Sequence, residues 1–514
     1  MNVVLNVEST RDGNFAMHFN SKLKTQNSKL SKLVFGPNHR WWALSVASLA
    51  TFMVTTDAGL LSISLPVIVA EFNADLATGG WLPLVYAIVT GSLYLPCGRL
   101  SDVFGRKRTL SIGFLLYTAT SLSAGFAQSM GQVIFFRGMQ AVGSALMMAN
   151  TFALVTELFS PAERGRALGL SGGMISALGF VVGPALGGLI TYTLGWRSVF
   201  YVSCCLGVVG LAGARLLLLD GKPRARGDRP PFDFVGTATF AFGLTIFLLA
   251  LTAGQKGAWG DPLVRLELIA AAVSLGGFLW WERRTRHPLL DLQLFRIRLF
   301  AAGNIARLSS FVSMSMNQLL MPFFLQLGLG LDTLRAGLLM ATSSVGLGIL
   351  SPFTGYLSDR IGARALSSAG LVVMAAAFYS LQRLDLSDSA FDIAVRLALV
   401  GVGLGLFQTP NNNALMSSLP SDRLGVGSSF LSIVRSFGLS VGVAAASAIV
   451  SARLVAVTGQ TSLDTLRSAG RSAASTPLLA AFLQGYRYVC WTAVVVCLVG
   501  AVAAMVPAVR GDEG

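Results

Sequence analysis

Apolar stretches longer than about 18 residues, separated by short polar segments, recur from about Trp42 to Val509. A run of that length crosses a hydrocarbon core of about 30 Å as a helix, because lipid offers the backbone no hydrogen-bond partner. The expected fold class is therefore an all-α polytopic membrane protein. Composition agrees: of 514 residues 53% are apolar and 12% charged, and the mean hydropathy is +0.65. A soluble domain carries about 25% charged residues. The spans are expected at roughly 42–69, 80–98, 109–128, 131–156, 168–192, 198–219, 234–254, 263–281, 299–326, 336–355, 365–383, 393–416, 426–452 and 487–509, fourteen in all.

The net charge of +15 would suit a nucleic-acid partner if it were clustered. It is distributed as topology instead. With the N-terminus inside, 26 of the 39 Lys and Arg fall on inner segments and 9 on outer ones. That bias places both termini in the cytoplasm and excludes a nucleic-acid partner. Residues 1–40, with Lys22, Lys24, Lys29, Lys32 and Arg40, read as a basic cytoplasmic tail. They are not a cleaved signal peptide, because the following apolar run is too long; Met17 is a plausible alternative start. Cys97, Cys204, Cys205, Cys490 and Cys497 show no CxxC spacing, so neither a disulfide framework nor a metal site is indicated. His18, His39 and His287 lie outside the apolar runs, which excludes a buried histidine relay. No nucleophile–base set stands out, so no enzyme and no cofactor are expected.

The sequence also repeats itself. Gly98-Arg99-Leu100-Ser101-Asp102-Val103-Phe104-Gly105-Arg106-Lys107-Arg108 returns as Gly355-Tyr356-Leu357-Ser358-Asp359-Arg360-Ile361-Gly362-Ala363-Arg364. Gly, Leu, Ser, Asp, Gly and a final basic residue keep their spacing. The two Asp are 257 residues apart, and a second echo, Pro161/Pro420 with Arg164/Arg423, is offset by 259. Offsets held that closely point to an internally duplicated membrane protein. Each copy reads as a short loop in which a Gly at each end permits a tight turn. The Asp there accepts from helix-end N–H groups or pairs with a basic residue.

GRLSDVFGRKR resembles the signature loop between helices 2 and 3 of the major facilitator superfamily, and the resemblance runs from about Trp42 to Val509. The second copy is degenerate, with Ala363 in place of Arg106. The resemblance implies a major facilitator fold of two six-helix halves. Spans 7 and 8 lie outside the repeat, and six plus two plus six resembles the fourteen-helix drug:proton antiporter branch. The expected division is a tail over 1–40, a first half over 41–219, two linker helices with basic loops over 220–298, and a second half over 299–510.

Span 5 holds Gly179, Gly183, Pro184, Gly187 and Gly188. Such a run lets another helix approach closely and permits a bend. Its spacing also resembles the motif of exporters in this superfamily. Asp57 is the one carboxylate well inside the repeat's spans. A charge there costs a few kcal/mol in lipid, so it should face a cavity and matter, or else cap a kink. Its place resembles the first-span Asp of the fourteen-helix exporters, although Ala58 and Gly59 depart from their pattern. Arg137, in RGxQxxG with Gln140, resembles a fourth-span motif associated with proton transfer. At 1.5 Å per residue, Asp57 and Arg137 fall at similar depth. The Arg either holds the Asp57 charge and releases it for protonation, forms a static pair, or is bonded to carbonyls instead.

Arg307 and Arg435 are unpaired by any carboxylate on the second half's spans. With Asn304, Asn317, Gln318, Gln408, Asn411, Asn412 and Asn413 they suggest a water-filled cavity, although some of these amides would serve only to join helices. Met314, Met316, Met321, Phe311, Phe323 and Phe324 around Gln318 suit a flexible lining, or equally a lipid-facing stripe.

These features predict a proton-driven exporter of amphipathic small molecules such as drugs, in a bacterial inner membrane. Its partners are substrate, protons and lipid. Whether periplasmic adaptor proteins assist is left open. The rivals are an uptake symporter or facilitator, an exporter of one dedicated metabolite, and a membrane-embedded enzyme.

Overall fold

The computed structural model describes residues 39–159, 163, 167, 175–218, 233–255, 261–285, 294, 296–419, 424–458 and 477–506. The basic tail, Pro161, Arg164, Pro420, Arg423 and most of the two basic linker loops lie outside the described residues. So do the side chains of Asp102 and Asp359.

Among the described residues there are fourteen long α-helices and no strand. They are α1 His39–Glu71, α2 Leu76–Phe104, α3 Arg106–Gly125, α4 Met130–Leu158, α5 Ile175–Leu194, α6 Arg197–Leu217, α7 Phe234–Gln255, α8 Pro262–Glu282, α9 Arg298–Phe323, α10 Thr333–Ile361, α11 Ala363–Leu381, α12 Ala390–Ser417, α13 Leu424–Thr458 and α14 Pro477–Ala504. Ten of these are long and apolar enough to cross a membrane by length and composition. Side-chain caps overrun the apolar runs and lengthen several helices. Asp75 accepts from Thr78 N at 2.7 Å to start α2, Asp261 from Leu263 N at 2.9 Å to start α8, and Asp332 from Arg335 N at 2.7 Å to start α10. The last helix starts at Pro477, ten residues before the expected 487, because Arg487 is exposed on its surface and does not end it.

The repeated segment is not a loop. α2 and α3 are separated by Gly105 alone, and α10 and α11 by Gly362 alone. Both glycines are left-handed, with φ +90° and +93°, a conformation that L side chains resist. Gly105 N donates to Ser101 O and its carbonyl accepts from Thr109 N; Gly362 repeats this with Ser358 and Leu366. The duplication therefore extends to individual hydrogen bonds. Gly98 and Gly355 sit within helices and make no turn.

The packing is duplicated too. α1 packs on α5 and α9 on α13; α2 on α4 and α10 on α12; α3 on α6 and α11 on α14. The two sets meet through α2 against α13 and α5 against α10. α7 packs on α2 and α13, and α8 packs on α7. Pro322 near the end of α9 is followed by a π-helical turn, Phe324–Gly328, closed by Leu329 N donating to Phe324 O at 3.1 Å. Phe242, Leu266, Ile269 and Val273 face outward on α7 and α8 and are more than half exposed. An apolar exterior of that kind suits lipid.

Candidate functional site

Asp57 sits mid-way along α1 and is 2% exposed. Arg137 on α4, also 2% exposed, donates through Nη1 to Asp57 Oδ2 and to Gln140 Oε1 at 2.6 Å. Gln140 Nε2 donates to Ser121 Oγ at 2.8 Å and lies 3.5 Å from Asp57 Oδ1. The Ser203 hydroxyl, from α6, donates to the same oxygen at 3.3 Å. The Arg137 guanidinium also lies 4.2 Å from the Tyr86 ring centre, and Tyr86 Oη donates to Ser144 Oγ at 2.6 Å. Five helices thus converge on one buried ion pair. Burying two charges is costly unless their remaining hydrogen-bonding capacity is met; Gln140, Ser203 and the Tyr86 ring supply much of that here. The Arg137 Nε has no partner among the described residues.

A cavity with about 100 Å³ of room for water centres lies beside the pair, enough for several waters. It lies between the two helix sets. α1, α2 and α4 line one wall with Ala58, Ser62, Tyr86, Thr90, Tyr94 and Arg137; α9 and α13 line the other with Ser315, Gln318, Arg435 and Ser436. Arg137 reaches this wall, whereas Asp57 is not among the lining residues. The acid expected to face a cavity stands one side chain behind it, with Arg137 between. A second space of about 50 Å³ shares Ser62 and Gln318 with the first and extends past Asn317, Phe180 and Met340 toward α10 and α12.

The remaining expected lining residues divide. Gln318 and Arg435 line the main cavity, and Asn317 lines the second, held at 3.3 Å by the Tyr486 hydroxyl. Gln140, Arg307, Gln408 and Asn411 line neither. Gln140 is taken up by the ion pair. Arg307 Nε donates to Leu431 O at 3.1 Å, and Nη1 donates to Asn412 Oδ1. Asn411 ties α12 to α9 by donating to Gly303 O at 3.2 Å, the helix-joining role left open above. Gln408 is half-buried. Of the Met and Phe cluster, Met314 lines the second space, whereas Met316, Met321, Phe311, Phe323 and Phe324 are packed in the core. Hydrophobicity alone does not separate a core face from a cavity face.

Tyr86, Thr90 and Tyr94 are cavity residues that the sequence reading missed. Their spacing of four puts them on one face of α2, the one signal that would have found them. For Ser203 there was none.

The α5 glycines are contact points. A Cβ on Gly179, Gly183 or Gly187 would collide with Thr55, the Thr56 carbonyl or Leu60 of α1, flanking Asp57. A Cβ on Gly188 would meet Thr333 O of α10 at 2.4 Å. One helix therefore presses both on the turn that carries the buried acid and on the opposite helix set.

The family model of the Major Facilitator Superfamily matches residues 47–443. The riboflavin transporter RibZ of Clostridioides difficile is 29% identical, over 79% of this chain and 87% of that protein. The multidrug resistance protein Stp of Mycobacterium tuberculosis is 31% identical, over 80% of this chain and 76% of that one. A solved bacterial homologue of the human lysosomal transporter Spinster, inward-facing and unoccupied, superposes with a TM-score of 0.64 at 15% identity, covering 91% of this chain and 97% of its own. That last likeness speaks for the fold alone. With a family model across most of its length and relatives alike over four fifths of it, the chain belongs to the Major Facilitator Superfamily and is a membrane transporter, not an enzyme.

Proposed function

We propose that the chain is a proton-coupled exporter of amphipathic small molecules, drugs among them, acting by alternating access across a bacterial inner membrane. The observation that carries this reading is the buried Asp57–Arg137 pair set directly behind the wall of a cavity between the two helix sets. A proton-driven cycle needs a group that is charged in one state and protonated in another. Arg137 neutralises Asp57 in the state described. A swing of Arg137 toward the cavity would leave a buried, unpaired carboxylate, which takes up a proton because an isolated charge is costly there. The two sets rock about the cavity, and α5 ties the Asp57 turn to that motion.

The direction of transport rests on the likeness of the α5 glycine–proline run to that of exporters, supported by the multidrug resistance relative. In this reading all fourteen helices cross the membrane, both termini are cytoplasmic, and α7 and α8 form a linker between halves at 41–219 and 299–510. Protons are a partner in this reading; periplasmic adaptors are an open addition to it. The riboflavin transporter relative favours a second reading, a carrier dedicated to one metabolite. Inverted vesicles decide between them. A proton-coupled drug exporter accumulates several unrelated labelled aromatic probes, and collapsing the pH gradient and the membrane potential together abolishes it. A dedicated carrier accumulates one, and an uptake facilitator only equilibrates.

A further inference from the structure

The geometry points to an amphipathic organic anion, an aromatic carboxylate or sulfonate, as the substrate class, with Arg435 as the residue that receives its charge. This rests on the reading of the main cavity as the substrate site. Three observations carry it.

The first is the charge balance around the cavity. Among the described residues its wall holds two guanidiniums, Arg137 and Arg435, and no carboxylate. Asp57 lies behind the wall, and its charge is already met by Arg137. Arg307, buried two turns of α9 before the cavity wall, adds a further positive charge behind Arg435; both guanidiniums lie against the Phe311 ring, at 5.1 and 5.7 Å. The site is therefore net positive, and a cationic substrate would enter against that field.

The second is that Arg435 is available. No described residue forms an ion pair with it or accepts a hydrogen bond from it, and its ordered contacts are the rings of Phe180 and Phe311, each at 5.7 Å. Arg307 differs, since a backbone carbonyl and the Asn412 amide oxygen take up two of its three donor nitrogens. A half-buried guanidinium with five donors and no acceptor, open to a cavity, is matched by a planar carboxylate or a sulfonate.

The third is the shape of the charge. Apart from Arg435, the Asp57-paired Arg137, Gln318 and a few hydroxyls, the wall is apolar, with Val54, Ala58, Leu61, Leu65, Leu319 and Val443 among its residues, and carries two tyrosine rings. An apolar, aromatic-lined space with one uncompensated cation at its edge takes a molecule that is apolar over most of its surface and anionic at one end. At one proton per substrate, exchanging an entering proton for a leaving monoanion moves two positive charges inward. The membrane potential and the pH gradient then drive export together.

The test is equilibrium dialysis of the purified full-length protein against three probes of one ring system: 1-naphthylacetate, 1-naphthalenemethanol and 1-naphthylmethylammonium. The wild-type protein should retain the anion at least tenfold more tightly than the cation, with the neutral alcohol between. Arg435→Gln should lose at least tenfold for the anion and leave the alcohol unchanged, the alcohol reporting that the cavity is intact. Arg435→Lys should recover part of the loss. Cation binding as tight as anion binding in the wild-type protein would overturn the inference, whether or not any variant folds. So would an Arg435→Gln protein that binds the alcohol and keeps the wild-type preference for the anion. Retention of none of the three probes would overturn the cavity as the substrate site, and with it the reading on which this inference rests.

Discussion

Asp57 and Arg137 are each nearly excluded from solvent, and each depends on the other to remain so. Removing one partner of a buried pair costs about 3–5 kcal/mol, mostly from the charge left behind. Arg137→Ala strands a carboxylate whose other contacts are a 3.3 Å serine and a distant amide, so it should lower the unfolding temperature markedly. Adding Asp57→Asn to it should restore much of the loss. A double variant as unstable as the sum of the two singles would show that the residues do not act on each other. The duplication is broken at this point. Arg396 follows Arg137 by 259 residues, the offset of the proline echo, and Met314 follows Asp57 by 257. Arg396 instead donates to Asp388 at 3.1 Å, so among the described residues the buried pair is confined to the first set of helices. The pair itself was legible in the sequence, since lone charges in apolar runs stand out. Its supporting residues were not, because a serine or tyrosine in a span carries no mark of which neighbour it faces.

Among the elements, α5 shows how far a motif can be read. The glycine–proline spacing signals close approach, but not the partners, which are α1 on one face and α10 on the other. The two faces should answer differently to added bulk. Gly183→Val meets the Thr56 carbonyl within one helix set, where rocking gives no relief, and overpacking of that kind costs about 1–3 kcal/mol. A loss of thermal stability is expected. Gly188→Val meets Thr333 of the other set, a contact that parts when the sets move. That variant should keep most of its stability and shift the conformational balance instead. Labelling of a Ser62→Cys background with an impermeant maleimide, from the side on which Thr333 lies, should increase. Unchanged labelling together with equal destabilisation in both variants would reduce the contact to ordinary packing. The repeated segment teaches the converse lesson. Its basic residues read as a loop, yet the helices run through it and break at one left-handed glycine, because glycine, not charge, decides where the chain turns.

Over the whole molecule, the all-helical architecture was set by the length of the apolar runs, and the duplication by two offsets. Contacts between the helix sets were beyond the sequence, because α2 against α13 and α5 against α10 join segments far apart in the chain. The proposed topology makes a direct prediction: reporters fused after residue 225 and after residue 290 should both read as cytoplasmic. Either one reading as external would remove α7 and α8 as a membrane-crossing pair. The central claim is that the buried acid carries the coupled proton. It is tested most directly by proton release from purified protein in proteoliposomes, followed with a pH-sensitive dye as anionic, neutral and cationic aromatic probes are added in turn. The wild-type protein should release protons on adding a probe it transports, and Asp57→Asn should bind that probe and release none. An Asp57→Asn protein that still exchanges protons for the probe would contradict the account and leave the proton to another group, such as Glu267 on α8.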